Sequence, residues 1–224
     1  MSVVLSSVRV GQPRTVAGAT PWVTGFFKDR VSGPVRLSRE NLAGDRQADL
    51  RVHGGPDKAV CVYSADHYPA WRRELGIEDC GPGWFGENFS VEGQTETTAC
   101  IGDVYRAGSA LVQISQPRGP CWKLARRWGR PEFVQLVTDS RRTGWYLRVI
   151  EEGDVTAGES LVLTERPYSQ WTVARVNDLT YTRRPAASRL GGERLELAAC
   201  PALADRWGAG LVRKAAEADS AQSA

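Results

Sequence analysis

Over most of the first 165 residues, apolar and polar positions alternate in short runs punctuated by glycine and proline, the period of half-buried strands. VVLSSVRVG and WVTGFFK predict two strands around a glycine–proline turn within residues 1–28. LRVHGGPDKAVCVYS predicts a turn running into a buried strand at AVCVY. ADHYPAWRRELGI has apolar residues at helical spacing and an early proline, and predicts a helix. GWFGENFSVEG and ACIGDVYRAGSALVQIS then give strand, turn and strand in quick succession. CWKLARRWGRPEFVQLVTDSRRTG reads as mostly helical, broken at Gly129-Arg130-Pro131, and GWYLRVIEEGDVTAGESLVLTER returns to strands with acidic glycine turns. So many short strands hide their edges most readily in a closed or nearly closed barrel.

Around Pro167 the pattern changes. YSQWTVARVNDLTY is helix-like, TRRPAASRLGGER is a polar connection rich in breakers, and LELAACPALADRWGAGLVRKAAE is rich in alanine and leucine. The expected organisation is therefore mainly β with α: a barrel over residues 1–166, then a small helical unit over 167–224 whose last residues fray.

Composition adjusts this picture only slightly. A chain of 224 residues buries a sizeable core without disulfides or a structural metal. The net charge of +3 comes from basic residues in pairs rather than runs, which suits a solvated surface or a basic pocket for a small anion better than a nucleic-acid track. There is no secretory signal pattern and no apolar stretch of about 18 residues that would span a bilayer, so no membrane partner is expected. Five cysteines without a CxxC pair argue against a disulfide framework and a zinc ribbon, and make a reducing cytoplasm the default location.

The most informative chemistry lies in SQPRGPCWKLARRWG, residues 115–129. A strand ends in a loop stiffened by Pro117 and Pro120, and a helix begins at Cys121. A thiol at a helix N-terminus feels unsatisfied N–H groups and the positive end of the dipole, and Arg118 and Lys123 add charge nearby. All three favour the thiolate, the form that acts as nucleophile or soft metal ligand. A partly buried, inert cysteine is the competing reading. Cys61 and Cys100 lie in strand-like stretches and read as packing; Cys80 and Cys200 have no obvious chemical setting.

RVHGGPDKAV, residues 51–60, forms a loop in which Gly54 and Gly55 let the backbone approach a ligand while His53, Asp57 and Lys58 are presented from it. Its N–H groups and lysine suit a phosphate or pterin oxygen, although a simple turn between strands explains it too. In GWFGENFSVEG, Asn88 offers an amide to a ligand or takes a left-handed conformation in a hairpin. There is no dinucleotide fingerprint, Walker loop or GxSxG elbow, and His53 and His67 with scattered cysteines lack zinc-site spacing.

VHGGPDKAVCVYSADHYPAW, FGENFSVEG, IGDVYRAGSALVQISQPRGPCWKLA, TGWYLRVIEEGDVTAGESLVL and WTVARVNDLTY, in this order across roughly residues 22–181, resemble the MOSC family (molybdenum cofactor sulfurase C-terminal domains). The closer likeness is to the YiiM-like branch of 6-N-hydroxylaminopurine resistance proteins. The resemblance implies a MOSC-type β-barrel followed by a three-helix domain. It implies that Cys121 coordinates molybdenum beside the dithiolene of a molybdopterin, with His53, Lys58, Asn88, Ser115, Gln116 and Arg118 around the pocket. Two-electron reduction of N-hydroxylated compounds follows, with electrons from a separate flavin-containing reductase and His53 as candidate proton donor. Family-level molybdenum ion and pyridoxal phosphate binding, and room for a homodimer, come with the same resemblance. The chain departs from the family pattern at Gly119, at the EGQTE turn and in the long connection at 182–194.

Two other functions share this fold. Cys121 as a metal-free sulfur carrier or nucleophile fits an activated thiolate equally well, and a non-catalytic assembly module would use the helical unit to dock a partner.

Overall fold

The computed structural model describes residues 2–18, 20–182 and 190–220. Most of the polar connection and the last four residues, expected to be linker and frayed tail, lie outside the described residues. The strands in chain order are β1 (Val3–Val10), β2 (Arg14–Val16), β3 (Trp22–Thr24), β4 (Asp29–Arg30), β5 (Val35–Leu37), β6 (Val60–Ser64), β7 (Phe89–Glu92), β8 (Val104–Ala107), β9 (Ala110–Pro117), β10 (Trp145–Glu151), β11 (Gly153–Val155) and β12 (Ser160–Glu165). The helices are α1 (Tyr68–Leu75), α2 (Trp122–Trp128), α3 (Phe133–Ser140), α4 (Val173–Tyr181), α5 (Gly191–Ala198) and α6 (Asp205–Ser220).

Seven strands close a barrel in the order β12-β8-β9-β10-β6-β7-β1, and β12 pairs back onto β1. The sheet is mixed, because β6 and β7 run parallel while the other barrel pairs are antiparallel. Closure removes the edges that an open sheet of such short strands would expose. Alternation sorts the side chains: Val60 and Val62 of β6 and Trp145, Leu147 and Val149 of β10 fill the barrel. Tyr63 instead joins Trp71, Phe85 and Phe133 in a second, aromatic cluster on the outside, under α1 and α3. Val173, Val176 and Leu179 of α4, with Leu197 and Leu211, belong to the same continuous apolar cluster as the barrel interior.

The segment GWFGENFSVEG departs from expectation. Only Phe89–Glu92 forms a strand, because the buried Glu87 accepts hydrogen bonds from the Gly83 and Phe85 N–H groups and folds residues 83–88 into an irregular loop. Asn88 is not left-handed; among the described non-glycine residues only Arg141 has positive φ. WVTGFFK likewise is strand only over β3. The break between α2 and α3 falls where expected, at Gly129 in a left-handed cap (φ 63°).

Candidate functional site

The site lies on the outer wall of the barrel, where neighbouring strands put their outward side chains in one row. Tyr146 on β10 stands opposite Gln116 on β9 and Cys61 on β6. Asn88 extends the row, accepting from the Cys61 N–H at its Oδ1 (3.1 Å) and donating from Nδ2 to the Arg9 carbonyl (3.1 Å). Both ends of the amide are therefore engaged in clamping three strands. Gln116 reaches the row because β9 carries an extra residue: Tyr146 pairs with Gln116 but Leu147 with Ile114, leaving Ser115 as a β-bulge. Ser115 is fully buried, and its Oγ lies 2.6 Å from the Asp57 carbonyl and 3.2 Å from that of Tyr146. It ties the 56–58 turn to the wall without lining a cavity.

Above this row are two adjoining cavities. The inner one is walled by Cys61, Tyr146, Asn88, His53, Gly54, Lys58, Arg118 and Cys121, with Lys28, Gln47 and Lys123. The outer one lies between the barrel and the C-terminal helices, against Gln116, Trp122, Trp207, Arg206 and Lys214. His53, Lys58, Gly119, Cys121 and Tyr146 border both. A Cβ at Gly119 would meet only the Tyr181 hydroxyl, at 3.7 Å, so the missing side chain widens the passage beside Cys121.

Cys121 is the N-cap residue of α2, as the prolines and helix pattern predicted, in extended backbone (φ −116°, ψ 160°). It is also the one free cysteine of five that is not buried. Cys61, assigned to packing from the sequence, is buried but forms part of the inner wall, and burial raises its pKa.

Among the described residues no carboxylate lines the inner cavity. Asp45 is buried behind it and ion-paired to Lys28, while Arg118, only 7% exposed, donates to the Phe85 carbonyl. Lys58 donates to the Val52 carbonyl (2.9 Å), and burial, then Arg206, lowers its pKa. The same field acts on His53: burial first, then Lys123, Arg118 and Lys58, push its pKa down to about 4. Burial alone would lower a histidine, but Lys28, Lys58, Arg118 and Lys123 in a wall with no carboxylate among the described residues make the inner cavity electropositive and suited to an anion. Gly54 carries φ +81°, and a Cβ there would come within 2.9 Å of Gln47 Oε1, a buried oxygen without a hydrogen-bond partner. Gly55 (φ +85°) caps the Pro56–Lys58 turn beside the cavity without lining it.

Of the sequence-derived residues, Cys121, His53, Gly54, Lys58, Asn88 and Arg118 thus converge on the inner cavity and Gln116 on the outer, while Ser115 and Gly55 support them. Sequence reasoning missed Tyr146, Lys28, Gln47, Arg206 and Lys214, which come from distant segments. Only the alternation of TGWYLRV, with Tyr146 opposite in phase to Trp145 and Leu147, hinted at one of them. Among the described residues no three His, Cys, Asp or Glu side chains converge as a metal site. His67 is turned away to Glu96 (2.6 Å).

The MOSC domain family model matches residues 49–162. Protein YiiM of Escherichia coli (strain K12) is 40% identical over 160 residues, 70% of this chain and 67% of that protein. Uncharacterized protein YflK of Bacillus subtilis (strain 168) is 43% identical over 209 residues, 93% and 92% of the two chains. A protein named Reductase from Gibberella moniliformis is 34% identical over 190 residues, which cover 84% of this chain but only 34% of that longer protein. The crystal structure of YiiM from Geobacillus stearothermophilus matches with a TM-score of 0.77 at 32% identity, covering 95% of this chain and 99% of that one. By fold and by sequence, the chain belongs to the MOSC domain family, in its YiiM-like branch.

Proposed function

We propose that this protein is an oxidoreductase that reduces N-hydroxylated compounds at a molybdenum cofactor held by Cys121. The observation that carries the reading is the pairing of one accessible thiol with an electropositive cavity that has no carboxylate in its wall. The residues fit such a group. A single soft sulfur cannot hold a metal ion alone, and no further protein ligand set converges here among the described residues, so the site suits a metal that arrives with its own chelate. The inner cations, Lys28, Lys58, Arg118 and Lys123, suit that chelate's phosphate, and Gly54 lets backbone come close to it. The homologue named Reductase, matched over 34% of its length, supports a redox reading.

When bound, the cofactor supplies a two-electron couple tuned by the thiolate. The overall conversion takes R–NH–OH, two electrons and two protons to R–NH2 and water. The protein's part is to bind, orient and shield. The Tyr146 hydroxyl stays protonated, since burial raises its pKa, and offers a donor between the two cavities. His53 without a bound anion is neutral above about pH 4 and offers one N–H and one acceptor. An anion beside it offsets the repulsion from Lys123, Arg118 and Lys58, which moves it toward the range of a proton donor. The outer cavity, with Trp122 and Trp207 in its wall, accommodates the small-molecule substrate. The experiment is reduction of 6-hydroxylaminopurine by cofactor-loaded protein with a flavin-containing reductase. Activity in the wild type and none in Cys121→Ser is the expected result; equal rates in both would refute the reading.

Cys121 as a sulfur carrier is favoured by one specific observation, its position open to both cavities while the other four cysteines are buried. A one-sulfur mass gain confined to Cys121, in protein that never takes up molybdenum, would establish it instead.

A further inference from the structure

Beside the cavity mouth a layer of cations lies on aromatic rings. The Arg14 guanidinium sits 3.9 Å from the Phe27 ring centre, and Arg127 lies 4.1 Å from the same ring and 4.3 Å from Trp128. Arg126 lies 5.2 Å from Trp22 and 5.7 Å from Trp122, and Lys123 5.9 Å from Trp122. The rings touch one another, Trp22 to Phe27 at 6.5 Å and Trp22 to Trp122 at 5.7 Å, so the layer is continuous. Its inner end is the site itself, because Trp122 and Lys123 follow Cys121 directly and line the outer and inner cavities.

None of these four cations forms an ion pair among the described residues, whereas Arg36, Arg106, Arg142, Arg166 and Arg175 each face a carboxylate. Arg126 gives one N–H to the Thr20 carbonyl and Lys123 donates to that of Val23 (3.1 Å). Stacking holds the guanidinium planes and leaves the remaining N–H edges, those of Arg14 and Arg127 above all, to face carboxylates at little cost in side-chain entropy. Trp22 is buried and arginines lie over Phe27, which leaves the exposed Trp122 as a single open ring, too little to stack successive nucleic-acid bases.

We propose that this layer, Arg14, Arg126 and Arg127 over Trp22, Phe27 and Trp122, docks an acidic electron-donor protein. The inference rests on the reductase reading of Cys121, since docking here sets a donor's redox group beside that thiol. Opposed charges would steer the encounter and make it salt-dependent.

The test is calorimetric titration of the holoprotein with an acidic flavodoxin-type flavoprotein at low and high salt, for wild type, Arg14→Glu/Arg126→Glu and Arg126→Lys. Both substituted residues are exposed, and matching thermal melts check that the fold is kept. The proposal expects salt-sensitive binding that falls by roughly tenfold or more in the double variant and persists in Arg126→Lys. No wild-type binding at low salt, equal binding by the double variant, or tighter binding of a single-stranded oligonucleotide through the same arginines would overturn it. Turnover driven by reduced methyl viologen, which needs no docking, reads the reductase assignment separately. It is expected to be unchanged in the double variant, and its loss there would also overturn the docking surface. An inactive wild type would sink the reductase reading, with the titration still deciding whether an acidic protein docks.

Discussion

Glu87 offers a perturbation whose size follows from the hydrogen bonds around it. Its carboxylate is fully buried and accepts from the Gly83 N–H, the Phe85 N–H (3.1 Å), the Ser90 hydroxyl (3.0 Å) and the Tyr68 hydroxyl. No basic side chain pairs with it among the described residues. Burial and Glu87 hold the Tyr68 phenol well above its usual pKa, so it remains a donor. Glu87→Ala strands the two backbone N–H groups, at about 1–3 kcal/mol each, while the hydroxyls partly re-aim. With the space left behind, the sum is about 4 kcal/mol. Glu87→Gln keeps one acceptor but turns an NH2 toward donors, and costs about 2 kcal/mol. In urea unfolding the midpoint falls in that order with little change in slope, and the melting temperature drops by about 8–16 °C for the alanine variant. The consequence reaches the site, because the same loop carries the Phe85 carbonyl that holds Arg118 and the Asn88 amide that clamps Cys61. A loss below about 1 kcal/mol for Glu87→Ala would refute the reasoning.

Three further predictions concern the cavity. Burial and the neighbouring cations hold His53 at about 4 in the folded chain, against 6.5 for a free imidazole, so the unfolded chain binds more protons between those values. Stability is full above about pH 6.5 and falls by about 1–2 kcal/mol toward pH 4, after discounting for partial exposure; His53→Gln flattens that part of a denaturation-versus-pH series. Gly54→Ala forces φ +81° on an alanine and pushes on Gln47, which costs about 1–3 kcal/mol by chemical denaturation and weakens oxyanion binding. Lys58→Met removes one cation from the wall and lowers the affinity for inorganic phosphate by roughly tenfold by calorimetry; unchanged affinity would remove Lys58 from the anion site.

Much of this was legible in the sequence where local rules decide the outcome. Strands β6, β9, β10 and β12 showed as alternating or β-branched runs, and the prolines flanking Arg118 and Gly119 announced the turn that sets Cys121 at the start of α2. The turn at Gly86–Asn88 was legible, but residues 83–85 read as a strand before it because nothing local reveals that Glu87 will draw in two backbone N–H groups. Ser115 came to the pocket list through the resemblance alone, and its place in a bulge could not be foreseen because a bulge exists only relative to a partner strand. Tyr146, Lys28 and Arg206 escaped notice because barrel closure and the packing of α6 bring them to Cys121 from far along the chain. Cys61 looked like packing because its outward phase matters only once the wall beyond it proves to be a cavity.

The central claim is that Cys121 holds a molybdenum cofactor, and elemental analysis tests it most directly. Protein from a molybdate-fed host with working pterin biosynthesis is compared as wild type and Cys121→Ser. The account predicts near-stoichiometric molybdenum in the wild type and its loss in the variant. Wild-type protein without molybdenum, or a variant that retains it fully, would contradict the account.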